Sequence, residues 1–222
     1  EAAVSAPADV TGLTHNDPAI LAIAKKYYTA VGAKDSATLE TIVDPWNSTV
    51  EQDTFRDNIK SFTNIQTYSK AGPVQGSYLV YVYCDCEVPN VDTPVPSLRQ
   101  LFITTSENGE MKISDWNQYA DFVTESNQSD EVQALIKQVN EQCQTLAGTD
   151  ATLKSYLESQ GIGQKETENT SAADASGAQN ADGGTAVATD GVNVRSEPST
   201  NGTILGTLYT GLEVNVIKVQ GD

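Results

Sequence analysis

The feature that most constrains the fold is a long stretch that cannot build a hydrophobic core. Residues 163–186 contain no aromatic residue and no Leu, Ile, Val or Met. They consist mostly of Ala, Gly, Ser, Thr, Asn, Gln and acidic residues. Such a composition buries too little apolar surface to offset the entropy of ordering the chain. We therefore predict a disordered linker over residues 162–187, with separately folding parts before and after it.

Length and charge narrow the classes of function. The 222 residues suffice for one medium domain and a small module, since domains commonly have about 100–150 residues. Thirteen Lys and Arg against 30 Asp and Glu give a net charge of −17, which repels nucleic acid and anionic membranes. No apolar run approaches the ~18 residues that a membrane helix needs. We expect no nucleic-acid partner and no membrane span in this chain.

The front part opens with helical patterns. Asp17 followed by Pro18 is typical of a helix start, and apolar residues then recur at helical spacing to about Gly32. A second helix begins at Asp35 and is stopped by Pro45. A third helix is predicted around the apolar residues Phe55, Ile59 and Phe62.

The pattern then changes to strands and back to helices. Residues 78–88 alternate as a long strand, residues 98–105 form the next, and an Asn-Gly turn within residues 107–110 leads into a strand over 111–116. An apolar stripe then marks a long helix around Val132 to Leu146, and a last helix runs from Asp150 to Gly161. Helices followed by an antiparallel sheet predict the α+β class.

Several short segments of this part resemble the NTF2-like superfamily. They are K-Y-Y-T-A at 26–30, K-D-S-A-T-L at 34–39, Y-L-V-Y-V-Y at 78–83 and D-T-P at 92–94. The resemblance covers residues 17–116 and implies a cone, in which an N-terminal helix lies across a curved antiparallel sheet. Residues 130–160 add helices to that cone. We predict an NTF2-like domain over residues 17–161 with a flexible leader over 1–16; the superfamily includes isomerases, dehydratases, carriers and dimerisation modules.

The end of the chain resembles the bacterial SH3 domain. The residues are G-V-N-V-R-S-E-P-S at 191–199, T-I-L-G-T-L at 203–208 and G-L-E-V-N-V at 211–216, which also alternate as short strands. The resemblance implies a small β-barrel over residues 188–222. It also implies an exported protein, extracellular or in the cell envelope, whose partner is peptidoglycan or another wall polymer. Together the two segments resemble uncharacterised exported Gram-positive proteins in which an NTF2-like domain is joined to a bacterial SH3 module.

We expect the sequence to be a fragment at both ends. It begins at Glu1 rather than Met, and the bacterial SH3 family continues through a W-Y-x-V strand that would follow Asp222. The barrel would then be incomplete, and a signal peptide or lipid anchor would lie before Glu1.

Three cysteines allow alternative interpretations. Cys84 and Cys86 lie two apart in a strand and therefore share one face, while Cys143 lies on the apolar stripe of a later helix. If that helix packs on this face, Cys143 bridges one strand cysteine; otherwise all three are buried thiols. A three-thiolate metal site is the weaker hypothesis, because a closed zinc site needs a fourth ligand and His15 lies in the predicted leader. We expect no metal and no cofactor.

The opposite face of the same strand carries Tyr81, Tyr83, Asp85 and Glu87. An enzyme of the NTF2-like kind would use Asp85 or Glu87 as a general base beside a tyrosine, which requires a desolvated carboxylate. Since these acids lie near the end of the strand, we expect solvent there. The favoured interpretation is a half-exposed face or a homodimer contact through the sheet.

Two tryptophans are the remaining candidates for ligand-binding residues. Trp46 and Trp116 either line the mouth of the cone or plug its core, and we favour the second role. The candidate ligand-binding residues are Tyr81, Tyr83, Asp85 and Trp116, and we assign no catalytic residue. A Ser-His mechanism is excluded, because His15 is the single histidine and would have to act from the leader.

These observations favour one function and leave an alternative. The favoured function is that of a non-catalytic, envelope-associated protein, in which a binding or dimerisation domain is tethered to a wall-directed SH3 module. The alternative is a small-molecule isomerase or dehydratase that uses Asp85 or a pocket tyrosine. An enclosed pocket with an ionisable group pointing inward would distinguish the enzyme.

Overall fold

The computed structural model describes residues 5–55 and 59–159, together with the backbone of four strands within residues 184–216. The chain divides into two compact units, Glu1–Leu153 and Lys154–Asp222. Within the described residues there are six α-helices and one six-stranded sheet. The predicted α+β class is confirmed.

The first helices form where the sequence places their caps. Helix α1 (Pro18–Ala33) begins after Asp17, whose carboxylate accepts hydrogen bonds from the Ala19 and Ile20 amides. Helix α2 (Ser36–Ile42) is capped by Asp35 in the same way. Helix α3 occupies Ser48–Thr54, after the Asn47 cap. The helix predicted around Phe55, Ile59 and Phe62 is wrong.

Phe62 belongs to a strand instead. Phe62 is paired with Cys86 of the following strand, and its ring packs on Tyr28 of α1. Apolar residues at spacings of three and four suit a helix, but tertiary pairing decides a short segment of this kind.

The sheet consists of four long or medium strands and two short ones. Strands β3 (Ser61–Ala71), β4 (Ser77–Glu87), β5 (Val95–Thr105) and β6 (Met111–Ser114) form an antiparallel meander. Strand β1 (Thr14–His15) pairs antiparallel with β3, and β2 (Val43–Asp44) pairs parallel with β6. The predicted Asn-Gly turn joins β5 to β6, where Gly109 has a φ of 83°.

Helix α1 covers one face of this sheet. Its apolar side packs on alternate residues of β4, β5 and β6, because side chains of a strand point to opposite faces in turn. The members of this core are Ile20, Ile23, Ala24, Tyr28, Val80, Val82, Leu101, Ile103 and Ile113. A smaller cluster of Ala30, Leu39 and Ile42, flanked by Trp46 and Phe55, holds α2 to α1.

Later helices cover the other face. They are a 3-10 helix (Asn117–Tyr119), α4 (Ala120–Asn127) and α5 (Asp130–Ala147). Helix α6 (Ala151–Ser159) follows α5 in the chain. The Tyr119 ring lies 5.3 Å from that of Phe102, and the Cys143 sulphur lies 3.4 Å from the Pro96 carbonyl oxygen. Phe102 and Pro96 point away from α1, so the sheet lies between two helical layers. Helix α4 was not predicted.

The segment predicted to be a flexible leader makes tertiary contacts from Ser5 onward. The Tyr68 hydroxyl donates to the Pro7 carbonyl oxygen at 2.5 Å, and the Ala8 amide donates to the Gln138 side chain at 2.8 Å. His15 is part of β1 and stacks on the Tyr68 ring at 4.7 Å. These contacts attach the segment to both β3 and α5.

The residues described in the second unit include four short strands. Strand β8 (Val192–Arg195) pairs antiparallel with β9 (Ile204–Leu208), and β7 (Gly184–Val187) pairs antiparallel with β10 (Glu213–Val216). The three strands predicted in the SH3-like segment are confirmed. Strand β7 occupies the last residues of the predicted linker, and residues 162–183 of that linker lie outside the described residues.

Candidate functional site

The face of β4 that carries the candidate residues is buried. Tyr81, Tyr83 and Asp85 are 3%, 0% and 7% exposed, and only Glu87, at the strand end, reaches solvent among the four residues of this face. The expectation of a half-exposed face or a dimer contact is therefore wrong. The reason is the packing of α4 and α5 on this face within the same unit, where Asn127 of α4 binds Tyr81 and Gln133 of α5.

Tyr83, Asp85 and Asn64 form the first polar group on this face. The Tyr83 hydroxyl donates to one Asp85 oxygen at 2.7 Å, and the Asn64 side-chain amide donates to the other at 3.0 Å. Burial raises the pKa of Tyr83, and the hydrogen bond to Asp85 raises it further. The phenol is thus protonated near neutral pH and acts as a donor. Both carboxylate oxygens already accept a hydrogen bond, which stabilises the acid where it lies.

Asn64 owes its position to an irregularity of β3. The register between β3 and β4 shifts between Thr63 and Gln66, so that Asn64 and Ile65 stand opposite the single residue Cys84. Asn64 has a φ of 50°, a left-handed conformation that asparagine tolerates better than most residues. This bulge directs the Asn64 side chain toward Asp85, and nothing in the local sequence predicted it.

A second polar group lies along the same face at Asn127, the last residue of α4. Its side-chain oxygen accepts hydrogen bonds from the Tyr81 hydroxyl at 2.7 Å and the Gln100 amide at 2.8 Å. Its backbone oxygen accepts from Gln133 on α5 at 2.7 Å. Burial raises the pKa of Tyr81, so that its hydroxyl is also a donor near neutral pH. Asn127 was missed because a polar residue near the end of an unpredicted helix carries no pattern of its own.

Neither tryptophan joins these polar groups. Trp116 is half-buried and precedes the 3-10 helix, where its carbonyl oxygen accepts from the Tyr119 amide at 2.7 Å. Trp46 is half-buried beside α2, with its ring 6.3 Å from that of Phe55. Of the four candidate ligand-binding residues, the structure thus places Tyr81, Tyr83 and Asp85 on one buried face, with Trp116 on a different segment.

The cysteines are free thiols and are all buried. Cys84 and Cys86 share the face of β4 that carries Val80 and Val82, and their sulphurs are 3.8 Å apart. Cys143 lies on α5, which packs on the opposite face, where Glu131 of the same helix pairs with Lys70 of β3. The predicted burial of Cys143 is confirmed, but the condition for its bridge, a helix packed on the face of Cys84 and Cys86, is not met. That bridge stays a prediction without support from the placement.

The environments of the three thiols differ. The pKa of Cys84 lies well above its usual value because of its hydrogen bond to Cys86 and its burial. The same hydrogen bond lowers the pKa of Cys86, and the nearby charge of Arg99 acts in the same direction. Burial raises the pKa of Cys143 to about 12. Cys86 is therefore the sulphur that ionises most readily.

His15 lies in a polar environment that the sequence did not indicate. One ring nitrogen lies 2.5 Å from an Asp9 carboxylate oxygen, and the other lies 2.8 Å from the Gln66 side-chain oxygen. Within the described residues, no group of three or more His, Cys, Asp and Glu side chains could hold a metal ion. Among the same residues, no helix has the length and apolar character required to cross a bilayer.

Comparison with known proteins concerns the end of the chain. No curated protein and no solved structure matches the sequence. The NTF2-like resemblance of the front part receives no support from a family match and stays a prediction. The bacterial SH3 domain family matches residues 190–222, which include the strands β8, β9 and β10.

Proposed function

We propose that this chain belongs to an exported, envelope-associated protein, and that its bacterial SH3 segment directs it to the cell wall. The observation that carries the proposal is the family match over residues 190–222. The three short strands in that segment agree with a small β-module. The partner is peptidoglycan or another wall polymer.

The charge of the chain specifies the kind of contact. A net charge of −17 disfavours adhesion to anionic wall polymers by simple electrostatics. Attraction between exposed charges would also weaken as salt is added, because the screening length falls to about 3 Å at 1 M salt. We therefore propose recognition through hydrogen bonds and packing, which salt leaves largely intact.

The front unit acts in this proposal as a non-catalytic binding domain of the NTF2-like kind. Support comes from the candidate acid itself, since Asp85 is buried and both its oxygens accept hydrogen bonds from Tyr83 and Asn64. Such a carboxylate is stabilised in place rather than presented to a substrate. Both faces of the sheet are covered by helices, so a dimer through the sheet face is not part of the proposal.

One observation favours the alternative, an isomerase or dehydratase. A buried carboxylate 2.7 Å from a protonated tyrosine is the pair of groups that such acid–base chemistry uses. Thermal-shift screening against small carbonyl compounds and phenols would test it. Enzymatic use of Asp85 predicts a ligand whose stabilising effect is lost in Asp85→Asn. The control variant is Asp44→Asn, which changes an exposed acid on β2.

Co-sedimentation with purified cell walls tests the main proposal. We expect the natural full-length protein to pellet with the walls, in low and in high salt, and a version ending at Gly161 to stay in the supernatant. Equal pelleting of the two proteins would assign wall binding to the front unit. If neither pellets, wall attachment through the SH3 segment is refuted.

A further inference from the structure

Cys84 and Cys86 form a dithiol that no function described above uses. The strand geometry places both side chains on one face, and their sulphurs lie 3.8 Å apart, already in contact. A disulfide requires Cα atoms about 4.4–6.8 Å apart, and two residues of an extended strand span about 6.4–6.8 Å. The pair is therefore at the upper limit of the bridging range and needs a small shortening of the strand to close.

The bulge in β3 provides room for that shortening. Asn64 and Ile65 stand opposite Cys84, so the regular ladder is interrupted on one side of the dithiol. Strands bend and twist more strongly at bulges than elsewhere. Cys86 lies one residue before Glu87, the exposed last residue of β4. Local opening of the strand at this end gives a small reagent access to the Cys86 sulphur.

A cation lies beside the two sulphurs and acts more strongly on Cys86. Arg99 projects from β5 on the same face, and its guanidinium lies 5.4 Å from the centre of the Phe62 ring. Its charge lowers the pKa of both thiols, and hydrogen bonds of the Arg99 and Ser97 side chains to Cys86 lower the pKa of that thiol further. The thiolate is the attacking species in disulfide exchange. Cys86 is thus placed as the attacking sulphur and Cys84 as the resolving one.

We propose that Cys84 and Cys86 form a redox site, a dithiol that closes reversibly to a disulfide within β4 by exchange with a small organic disulfide. The Cys86 thiolate attacks one sulphur of the small disulfide, forms a mixed disulfide and expels the first thiolate. Cys84 loses its proton and attacks the Cys86 sulphur, which expels the second thiolate. Two electrons pass from the protein to the small disulfide, and the two departing thiolates take up the two protons.

The hydrogen bonds of Asp85 should respond to the redox state of the two cysteines. Asp85 lies between the two cysteines and holds Tyr83 and Asn64 from the opposite face of the strand. Closing the disulfide draws the strand together at Asp85 and alters these hydrogen bonds. A disulfide of this kind is strained and easily reduced, as labile disulfides generally are.

The test uses the folded chain in mixtures of oxidised and reduced glutathione, followed by acid quenching, alkylation and trypsin. Cleavage at Lys70 and Arg99 leaves Cys84 and Cys86 in one peptide, residues 71–99, and Cys143 in another. We expect the 71–99 peptide to become lighter by two hydrogens and unalkylated in oxidising mixtures, with Cys143 still alkylated. Reduced glutathione should reverse the change, and near-ultraviolet circular dichroism of tyrosine should change in step.

Substitutions test the role of each residue in this redox site. Cys143→Ser should behave as the unaltered chain, whereas Cys84→Ser should accumulate a glutathione adduct on Cys86, because the resolving thiol is missing. Arg99→Gln should slow bridge formation by roughly threefold to tenfold, and Arg99→Lys should restore much of the rate. A bridge that includes Cys143, or one that forms only in denaturant, would overturn the proposal.

Discussion

At the scale of single residues, the buried face of β4 is defined by hydrogen bonds rather than by residue type. Tyr81 and Tyr83 point to the same side, as strand alternation predicts. Their partners are Asn127, at the end of an unpredicted helix, and Asp85, whose second partner Asn64 depends on a β-bulge. The sequence therefore identified which residues share the face. It could not identify their partners, because these come from distant segments.

The hydrogen bond between Tyr83 and Asp85 should make a measurable contribution to stability. We expect Tyr83→Phe to lower the free energy of unfolding by about 1–3 kcal/mol, since one buried oxygen of Asp85 loses its hydrogen-bond partner. Urea denaturation of the two proteins measures the difference. Tyr78→Phe, on the same strand but half-buried, is the matched control and should cost less. Equal losses for the two variants would contradict the importance of this contact.

At the scale of elements, the sequence predicts where the first two helices begin, but it does not predict which helices pack on which face of the sheet. Asp17 and Asp35 cap the helices that their positions indicated. The apolar stripe of α5 correctly predicted a buried helical face, with Val132, Leu135, Val139 and Cys143 buried. A stripe does not say which face of a sheet it meets. For that reason the sequence left open whether Cys143 meets Cys84 and Cys86, and in the structure its helix lies on the opposite face of the sheet.

Asp150 joins α6 to the loop before β5 and should make stability depend on pH. Its carboxylate accepts hydrogen bonds from Thr152, Thr93 and Leu153, and these lower the pKa of Asp150. Because the folded pKa lies below the unfolded value of about 3.9, the stabilisation is fully present at neutral pH. It is lost as the pH falls below that value.

Thermal unfolding measured between neutral and acidic pH tests this assignment. At neutral pH we expect Asp150→Asn to melt at a lower temperature than the unaltered chain, and the difference should shrink as the pH falls below about 3.9. Asp44→Asn, which changes an exposed acid, should show little difference at any pH. A difference for Asp150→Asn that stays constant over the whole range would contradict the role of the charged form.

At the scale of the whole molecule, the sequence predicts domains over residues 17–161 and 188–222, whereas the structure divides the chain into compact units between Leu153 and Lys154. The predicted boundaries stay a prediction. The α+β class followed from the order of helical and strand patterns, which is a property of long periodic segments. The short SH3-like strands were found because turn residues separate them at regular intervals. Of the late helices, α5 and α6 were predicted and α4 was not, because α4 is short and weakly apolar.

The central claim is that the SH3 segment, and not the front unit, contacts the wall. Titration of the ¹⁵N-labelled, natural full-length protein with soluble peptidoglycan fragments, followed by amide chemical shifts, tests it most directly. We predict that the shift changes fall within residues 188–222, that they persist in high salt, and that the resonances of residues 17–161 stay unchanged. Shift changes confined to residues 17–161 would contradict the claim.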